Sequence, residues 1–203
     1  MKMNRHKFIT GALAAAVATT LFTGCKTEPT AKLTPEEAKA IAMDAYVYGY
    51  SLLTTDVTRI QMSNVPKLVE LKAPLNQFVN VKRYPPADYR GVSAPNADTL
   101  YSVAWIDLSE PQVFTCPDMG RRYFLMPMYN LWMTDFESPG SRTTGEQGGT
   151  FLLTGPGWNG EVPAGMKHIV STTRYMLILG RTYADGTEAD NKVVNGLQAQ
   201  LKI

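Results

Sequence analysis

The sequence has few of the side chains that build metal centres and disulfide scaffolds. Its 203 residues include two histidines and two cysteines. His6 lies in a segment that we interpret as an export signal, so His168 is the one histidine expected in the mature chain, and a zinc site built mainly on histidine is excluded. If Cys25 carries a lipid, Cys116 has no disulfide partner, and we expect it to be a small buried hydrophobic residue.

The chain also lacks a large excess of charge of either sign. The formal net charge is +2, and without the basic residues of the export signal (Lys2, Arg5 and Lys7) the remaining basic residues nearly balance the 18 acidic ones. This balance excludes a nucleic-acid binder held by bulk electrostatics. Hydrophobic residues make up 44% of the chain and charged residues 19%, which indicates an ordinary globular protein with a core of its own.

The motifs of well-understood catalytic sites are missing. The sequence contains no P-loop, no G-x-S-x-G elbow and no H-E-x-x-H. Residues 155–160 match G-x-G-x-x-G, but residues 161–165 (EVPAG) would not begin the helix that a dinucleotide needs, so we predict a tight turn with Trp158 as a packing anchor. A Ser-His-Asp triad would have to use His168, which we interpret as an edge residue at the start of a strand. We expect no metal and no cofactor.

What is present at the N-terminus is the three-part pattern of a bacterial export signal. A basic start precedes a 15-residue apolar run, Phe8 to Phe22, which is shorter than the roughly 20 residues of a membrane span. The following Leu21-Phe22-Thr23-Gly24-Cys25 resembles a lipobox, in which the cysteine is lipidated and becomes the new N-terminus.

We therefore predict a signal peptide over residues 1–24, lipidation of Cys25 and a polar tether over residues 25–33. By resemblance to enterobacterial sorting, Lys26 after the cysteine favours the outer membrane, facing the periplasm. An ordinary cleaved signal with an incidental Cys25 is the alternative.

The body of the chain, residues 34–203, is predicted to begin and end with helices. Thr34 and Glu37 form a capping box with Pro35 at the first helical position. Apolar residues then follow at helical spacing, which predicts one buried face: Ala38, Ile41, Ala42, Ala45 and Leu52.

A second helix is predicted from Thr187, with its apolar face on Val193, Val194, Leu197 and Leu201. We expect the chain to end inside this helix without a C-cap, as in a truncated or split product whose helix packs on a partner. A short helix folded back onto the sheets is the alternative.

Between the helices, short apolar runs alternate with loops rich in proline and glycine, so the sheets should be antiparallel and form a β-sandwich. The predicted strands are residues 100–108, 112–116, 122–126, 129–133, 150–154 and 175–183.

Two polar loops are candidate ligand sites. Residues 95–101 lead into a strand and offer Asn96, Asp98 and Tyr101, and residues 139–145 place Arg142 and Thr143 among small donors able to hold a carboxylate or phosphate. The alternative for both loops is that their polar side chains form hydrogen bonds within the loop itself and bind no ligand.

Five segments in this order resemble the bacterial family called domain of unknown function 1254 (DUF1254): residues 45–50, 95–102, 122–124, 139–145 and 155–158. The resemblance implies an exported protein with an immunoglobulin-like sandwich, usually followed by a jelly-roll companion domain (DUF1214), and it brings no established catalytic residues.

These observations favour a non-catalytic cell-envelope lipoprotein domain that binds a small molecule or glycan or acts as a scaffold. Its expected partners are the membrane, through lipid on Cys25, and either the jelly-roll domain or a second copy through the C-terminal helix. The alternative is a hydrolase-like envelope enzyme with Asp98 as acid/base and Arg142 as a carboxylate or oxyanion clamp, so whether the protein is an enzyme stays open.

Overall fold

The computed structural model describes residues 32–92 and 94–203. The described residues divide into two units, 32–43 and 44–203. The predicted signal peptide, Cys25 and nearly all of the tether lie outside the described residues.

The elements are α1 (Pro35–Ser63), β1 (Val79–Asn80), β2 (Thr99–Asp107), β3 (Gln112–Cys116), β4 (Phe124–Leu125), β5 (Met128–Asn130), β6 (Asp135–Glu137), β7 (Gly149–Thr154), β8 (Lys167–Val170), β9 (Tyr175–Tyr183) and α2 (Glu188–Gln198).

The predicted capping box begins α1. The backbone N–H of Thr34 donates to Glu37 Oε2 at 2.9 Å, and the N–H of Glu37 donates to Thr34 Oγ1 at 3.2 Å. The hydrogen bond from the Thr34 backbone is also the main reason that the pKa of Glu37 lies below its usual value. Two otherwise unpaired N–H groups are thereby satisfied, which fixes where the helix begins.

The prediction of a buried apolar face on α1 is wrong for four of its five residues. Ala38, Ile41, Ala42 and Ala45 are exposed, and Leu52 is half-buried. Within residues 44–203, the helix faces the sheet through small polar side chains such as Thr55, which is buried. Helical spacing therefore identified side chains that share one side of the helix, but most of these side chains are exposed.

Two sheets form the body, and their strands are mainly antiparallel. The larger sheet has the order β1-β2-β9-β5-β6, with β4 also paired to β9, and the smaller has the order β3-β7-β8. The β7–β8 pair is parallel, which departs from the prediction. The long loop between Thr154 and Lys167 makes this possible, because a parallel pair needs a connection that carries the chain back to the same end of the sheet.

One hydrophobic core contains residues from both sheets. Ile106 and Ile178 come from the larger sheet, and Phe114, Phe151 and Leu153 come from the smaller. The rings of Phe114 and Phe151 stack with their centroids 5.5 Å apart. Side chains of this size contribute about 1.5–3 kcal/mol each when fully buried, so the core shared by the two sheets is what holds the body together.

The chain does not end inside the second helix as predicted. Thr187 is the N-cap of α2 and accepts a hydrogen bond from the N–H of Asp190, but the helix ends at Gln198 with Ala199 as its C-cap. Lys202 then pairs with Thr115 through two backbone hydrogen bonds of 2.9 and 3.2 Å. Along the predicted apolar face, Val194 and Leu201 are buried, Leu197 is half-buried and Val193 is exposed.

The described helices include none that is long and apolar enough to cross a membrane.

Candidate functional site

An elongated apolar cleft of about 510 Å³ lies on the outward face of the larger sheet, the face turned away from the shared core. We call it the outer cleft. Its floor is formed by strands β1, β2 and β9, and its opposite wall by the segment that leads from β1 to β2. The lining residues are Met62, Leu71, Val79, Val81, Arg83, Tyr84, Pro85, Pro86, Tyr89, Val92, Ala94, Pro95, Asn96, Thr99, Tyr101, Val103 and Leu179.

Strand register places the floor of the outer cleft. Side chains of a strand alternate between faces, so Tyr101 and Val103 of β2 point outward while Leu100, Ser102 and Ala104 between and beside them are buried on the core side. Val103 lies opposite Leu179 of β9 in the antiparallel ladder. The alternation in β2 thus supplies apolar side chains to both faces of the same sheet.

Tyr84 anchors the wall of the cleft. Its hydroxyl donates to the carbonyl oxygen of Ala184, and burial is the main reason that its pKa lies above its usual value of 10.0. The ring also requires Gly186, because a Cβ at that position would stand 2.6 Å from Tyr84 Cε2, and Gly186 has a φ of +84°. The wall is therefore fixed to the loop between β9 and α2.

Asn96 organises the loop at one end of the cleft. Its Oδ1 accepts hydrogen bonds from the N–H groups of Asp98 and Thr99, both at 2.8 Å, and from Thr99 Oγ1 at 3.2 Å. This is an Asx turn that leads into β2. Because all three hydrogen bonds to Asn96 Oδ1 come from its own loop, the contribution of Asn96 to the cleft is mainly structural.

Two arginines stand at the outer cleft. Arg83 lines it directly, and the guanidinium carbon of Arg181 lies 5.5 Å from the ring centroid of Tyr101. Neither arginine forms a salt bridge within the part of the chain that the structure describes, and Arg181 Nε is buried there without a hydrogen-bond partner. An unpaired donor beside an apolar cleft is suited to an anionic or acceptor group on a ligand.

The second predicted loop lies elsewhere. Thr143 Oγ1 donates to the carbonyl oxygens of Ser138 at 2.5 Å and Gly140 at 3.4 Å. Arg142 is exposed, with its guanidinium carbon 5.7 Å from the ring centroid of Tyr123, and it donates no hydrogen bond to a described residue. Of the five predicted ligand residues, Asn96 and Tyr101 line the outer cleft, whereas Asp98, Arg142 and Thr143 do not.

Asp98 and Arg142 form no hydrogen bond or ion pair with each other among residues 32–92 and 94–203. Asp98 is exposed, and its carbonyl oxygen accepts from the N–H of Ala184 at 3.1 Å.

The other side chains with potential reactivity, Cys116 and His168, are held in the packing of the smaller sheet. Cys116 is buried, and burial raises the pKa of its thiol to about 12, which leaves it inert as a nucleophile. His168 lies in the edge strand β8, with Nε2 2.8 Å from Thr154 Oγ1 and its ring 5.0 Å from Trp158. No helix begins directly after residues 155–160, so this segment is not a dinucleotide-binding turn. Within the described residues, no three side chains that could bind a metal ion lie together.

A second cavity, of about 260 Å³, lies under the second half of α1. Thr54, Thr55 and Thr58 form its helix side. It shares Met62, Val103 and Leu179 with the outer cleft. It also contains Trp105, whose indole N–H is buried without a partner among the described residues.

Sequence reasoning missed Tyr84, Tyr89 and Arg181. The tyrosines carried a signal, since they flank Pro85 and Pro86 in a segment with little helix or strand character. Arg181 carried none, because its place beside Tyr101 depends on the pairing of β2 with β9.

The chain resembles known proteins in both sequence and structure. The family model described as "Protein of unknown function (DUF1254)" matches residues 75–203. The crystal structure of the VPA0106 protein from Vibrio parahaemolyticus is similar, with 26% sequence identity and a TM-score of 0.61, over 78% of this chain and 36% of that one. This chain therefore spans about a third of the length of that protein. No curated protein matches the chain. The match over residues 75–203, which is more than half of the sequence, shows that the chain belongs to the DUF1254 family.

Proposed function

We propose that this domain is a non-catalytic binding module whose outer cleft takes a small ligand with an apolar body and an anionic or hydrogen-bond-accepting end. The observation that carries the proposal is the outer cleft itself, an apolar and aromatic concavity of about 510 Å³ on the outward face of the larger sheet. Small-molecule sites typically have volumes of about 300–1,000 Å³ and a mainly apolar lining with few polar groups.

The chemistry of the ligand follows from the lining. Tyr84, Tyr89 and Tyr101 offer ring faces and edges, which favour flat or aliphatic groups. Arg83 in the lining and Arg181 beside Tyr101 supply positive charge, and neither forms a salt bridge within the described residues. A purely apolar ligand would leave both guanidinium groups unused, so we favour an amphipathic anion such as an aromatic or aliphatic carboxylate over a neutral glycan.

Binding without catalysis is favoured over hydrolysis by the state of the candidate reactive groups. A nucleophile and its base need to lie within hydrogen-bond distance of each other or to be joined by a water. Cys116 is buried, and His168 contacts Thr154 and Trp158. Asp98 forms no hydrogen bond or ion pair with Arg142 within the described residues. None of these groups lines the outer cleft.

Anilinonaphthalene sulfonate, an apolar ring system with one anionic group, is a suitable probe. We expect saturable fluorescence enhancement with the wild-type protein, and Val103→Phe should weaken it by roughly tenfold or more because the larger ring occupies the cleft. Val113→Phe is the matched control, because Val113 also lies on a strand and is exposed but is outside the cleft.

Arg83→Gln tests the anionic end of the ligand, with Arg121→Gln as the control outside the cleft. Equal probe binding by Val103→Phe and Val113→Phe, with both proteins folded, would contradict the cleft as the site. Loss of binding in Val103→Phe but not in Arg83→Gln would retain the site and remove the anionic preference.

We further propose that the two sheets form an immunoglobulin-like sandwich. The family resemblance and the core shared by both sheets support this assignment, whereas the parallel β7–β8 pair is a departure from an all-antiparallel sandwich.

We also propose that the protein is held at the bacterial cell envelope, in the outer membrane and facing the periplasm, by lipid on Cys25. The support is the three-part pattern of residues 1–25. A jelly-roll companion domain is the proposed partner. Contact with a second copy through α2 is less favoured, because Val193 alone among the four residues of the predicted apolar face is exposed.

A further inference from the structure

The exposed side of α1 carries a regular apolar stripe. Within residues 44–63, large apolar or aromatic residues recur at alternating intervals of four and three: Tyr46, Tyr50, Leu53, Val57 and Ile60. Their exposed fractions range from 44% to 64%. We call these five residues the α1 seam. A repeat of this kind keeps all members on one side of a helix and is the pattern by which two helices interdigitate.

The opposite side of the helix is the one seated on the sheet. Ser51 Oγ donates to the carbonyl oxygen of Trp132 at 3.2 Å, and Thr55 is buried. Arg59 lies with its guanidinium carbon 3.9 Å from the ring centroid of Tyr175 and pairs with Asp56 at 2.7 Å. From Ser51 onward, small polar side chains and Arg59 therefore face the body while the α1 seam faces solvent, whereas an ordinary amphipathic surface helix buries its apolar side. Nearer the start of this segment the aromatic Tyr48 also packs on the body, with its ring centroid 5.2 Å from that of Trp132.

We propose that the α1 seam packs against the α1 seam of a second copy of this chain. The spacing favours a helix with the same alternating repeat as the occupant, because knobs at intervals of three and four fit holes of the same spacing. A second copy provides such a helix in the same protein, and a two-fold symmetric pair makes each seam the complement of the other.

Charge and area both permit this pairing. The positions that flank the seam include Val47, Gly49 and Thr54, which are uncharged, and Asp56 is already paired with Arg59. Two copies therefore bring no like charges together along the seam. A fully buried tyrosine removes roughly 150–250 Å² of surface, and the seam side chains are about half exposed. The five residues, with Val47 beside them, therefore offer several hundred Å² per subunit, which corresponds to the lower end of specific interfaces, whose standard size is about 800 Å² per partner.

The seam is also partly organised before association. The rings of Tyr46 and Tyr50 meet edge to face with their centroids 5.7 Å apart. Ring positions that are already restricted lose less side-chain entropy when a partner arrives.

The test is the molar mass of the full chain in solution, measured by sedimentation equilibrium. We expect a dimer at micromolar concentration. Val57→Glu places two carboxylates in the paired seam and should weaken association by roughly 100-fold or more. Val193→Glu is the matched control, because Val193 is also a helical valine, with 56% exposure against 53% for Val57, and this control should remain a dimer.

Cross-linking provides a second measurement that does not depend on a destabilising charge. Leu53 is the middle residue of the α1 seam, so Leu53→Cys should form a disulfide between copies under mild oxidation, whichever way the two helices run. A wild-type chain that stays monomeric at high micromolar concentration, dissociation by Val193→Glu in place of Val57→Glu, or a Leu53→Cys protein that cross-links no more than wild type would each overturn the proposal.

Discussion

Asn130 shows how one buried amide can hold a turn. Its Oδ1 accepts hydrogen bonds from the N–H groups of Trp132 at 2.9 Å and Thr134 at 3.1 Å, and its Nδ2 donates to Thr172 Oγ1 at 2.9 Å. Met133, in the same turn, has a φ of +58°. The amide therefore replaces ladder hydrogen bonds where β5 ends, which explains why the strand predicted over residues 129–133 ends at Asn130.

We expect Asn130→Ala to lower the free energy of unfolding by roughly 1–3 kcal/mol, because it leaves two N–H groups and one hydroxyl without a partner. Urea denaturation measures this change. Asn159→Ala is the control, since Asn159 is exposed and its side chain has no hydrogen bond within the described residues; that change should stay within about 0.5 kcal/mol. Equal effects of the two substitutions would contradict the role of Asn130.

Asp107 and Arg174 link stability to pH. Arg174 donates two hydrogen bonds of 2.8 Å to the carboxylate, and this contact lowers the pKa of Asp107 from 3.8 to about 2. Because the folded-state pKa is depressed, the stabilisation is present above the ordinary pKa and is lost as the pH falls from about 4 towards 2.

We expect Asp107→Asn to remove the part of the acid destabilisation that falls between these two pH values. The measurement is the midpoint of urea denaturation at intervals across this range for both proteins. Asp88→Asn, at an exposed position without a hydrogen bond in the described chain, should follow the wild-type profile. If Asp107→Asn also follows that profile, the contact with Arg174 does not contribute to stability.

At the scale of secondary-structure elements, what could be predicted depended on length and alternation. The bounds of β3 and β9 match the predicted ranges, and β2 is displaced by one residue. The segment of β2 alternates, while β3 and β9 are apolar-rich runs bounded by turn or loop residues. Strands β1 and β6, of two and three residues, were missed because so short a segment has no detectable period.

The orientation of α1 could not be predicted for a different physical reason. The 3.6-residue period identifies which side chains share a face, but the choice of face depends on the surface that the helix meets. The cleft shows the same limit. Asn96 and Tyr101 were found from the loop before β2, whereas the wall around Tyr84 depends on Ala184 and Gly186, about 100 residues away in sequence.

At the scale of the whole molecule, the export signal makes a prediction about location. In a bacterial host with lipoprotein processing, we expect Cys25→Ser to move the protein from the membrane fraction to the soluble fraction and to leave a slower-migrating precursor. The fold should be unchanged, because the body of the chain begins at the Thr34 capping box.

Cys116→Ser is the control for the lipidation experiment, since Cys116 is buried in the core and should have no effect on fractionation. Membrane association that is unchanged in Cys25→Ser would contradict lipid anchoring. Wild-type protein that is already in the soluble fraction would favour the alternative of an ordinary cleaved signal.

The three residues shared by the outer cleft and the cavity under α1 couple two parts of the molecule. Met62 belongs to the helix that carries the α1 seam, while Val103 and Leu179 belong to the sheet. A ligand that reached past Met62 would contact the side of α1 that packs on the sheet. By shifting the helix, it would change the free energy of pairing between copies. Thermodynamic reciprocity then requires pairing to change the affinity for that ligand by the same factor. Occupancy of the cleft and association of the protein would thus report on each other.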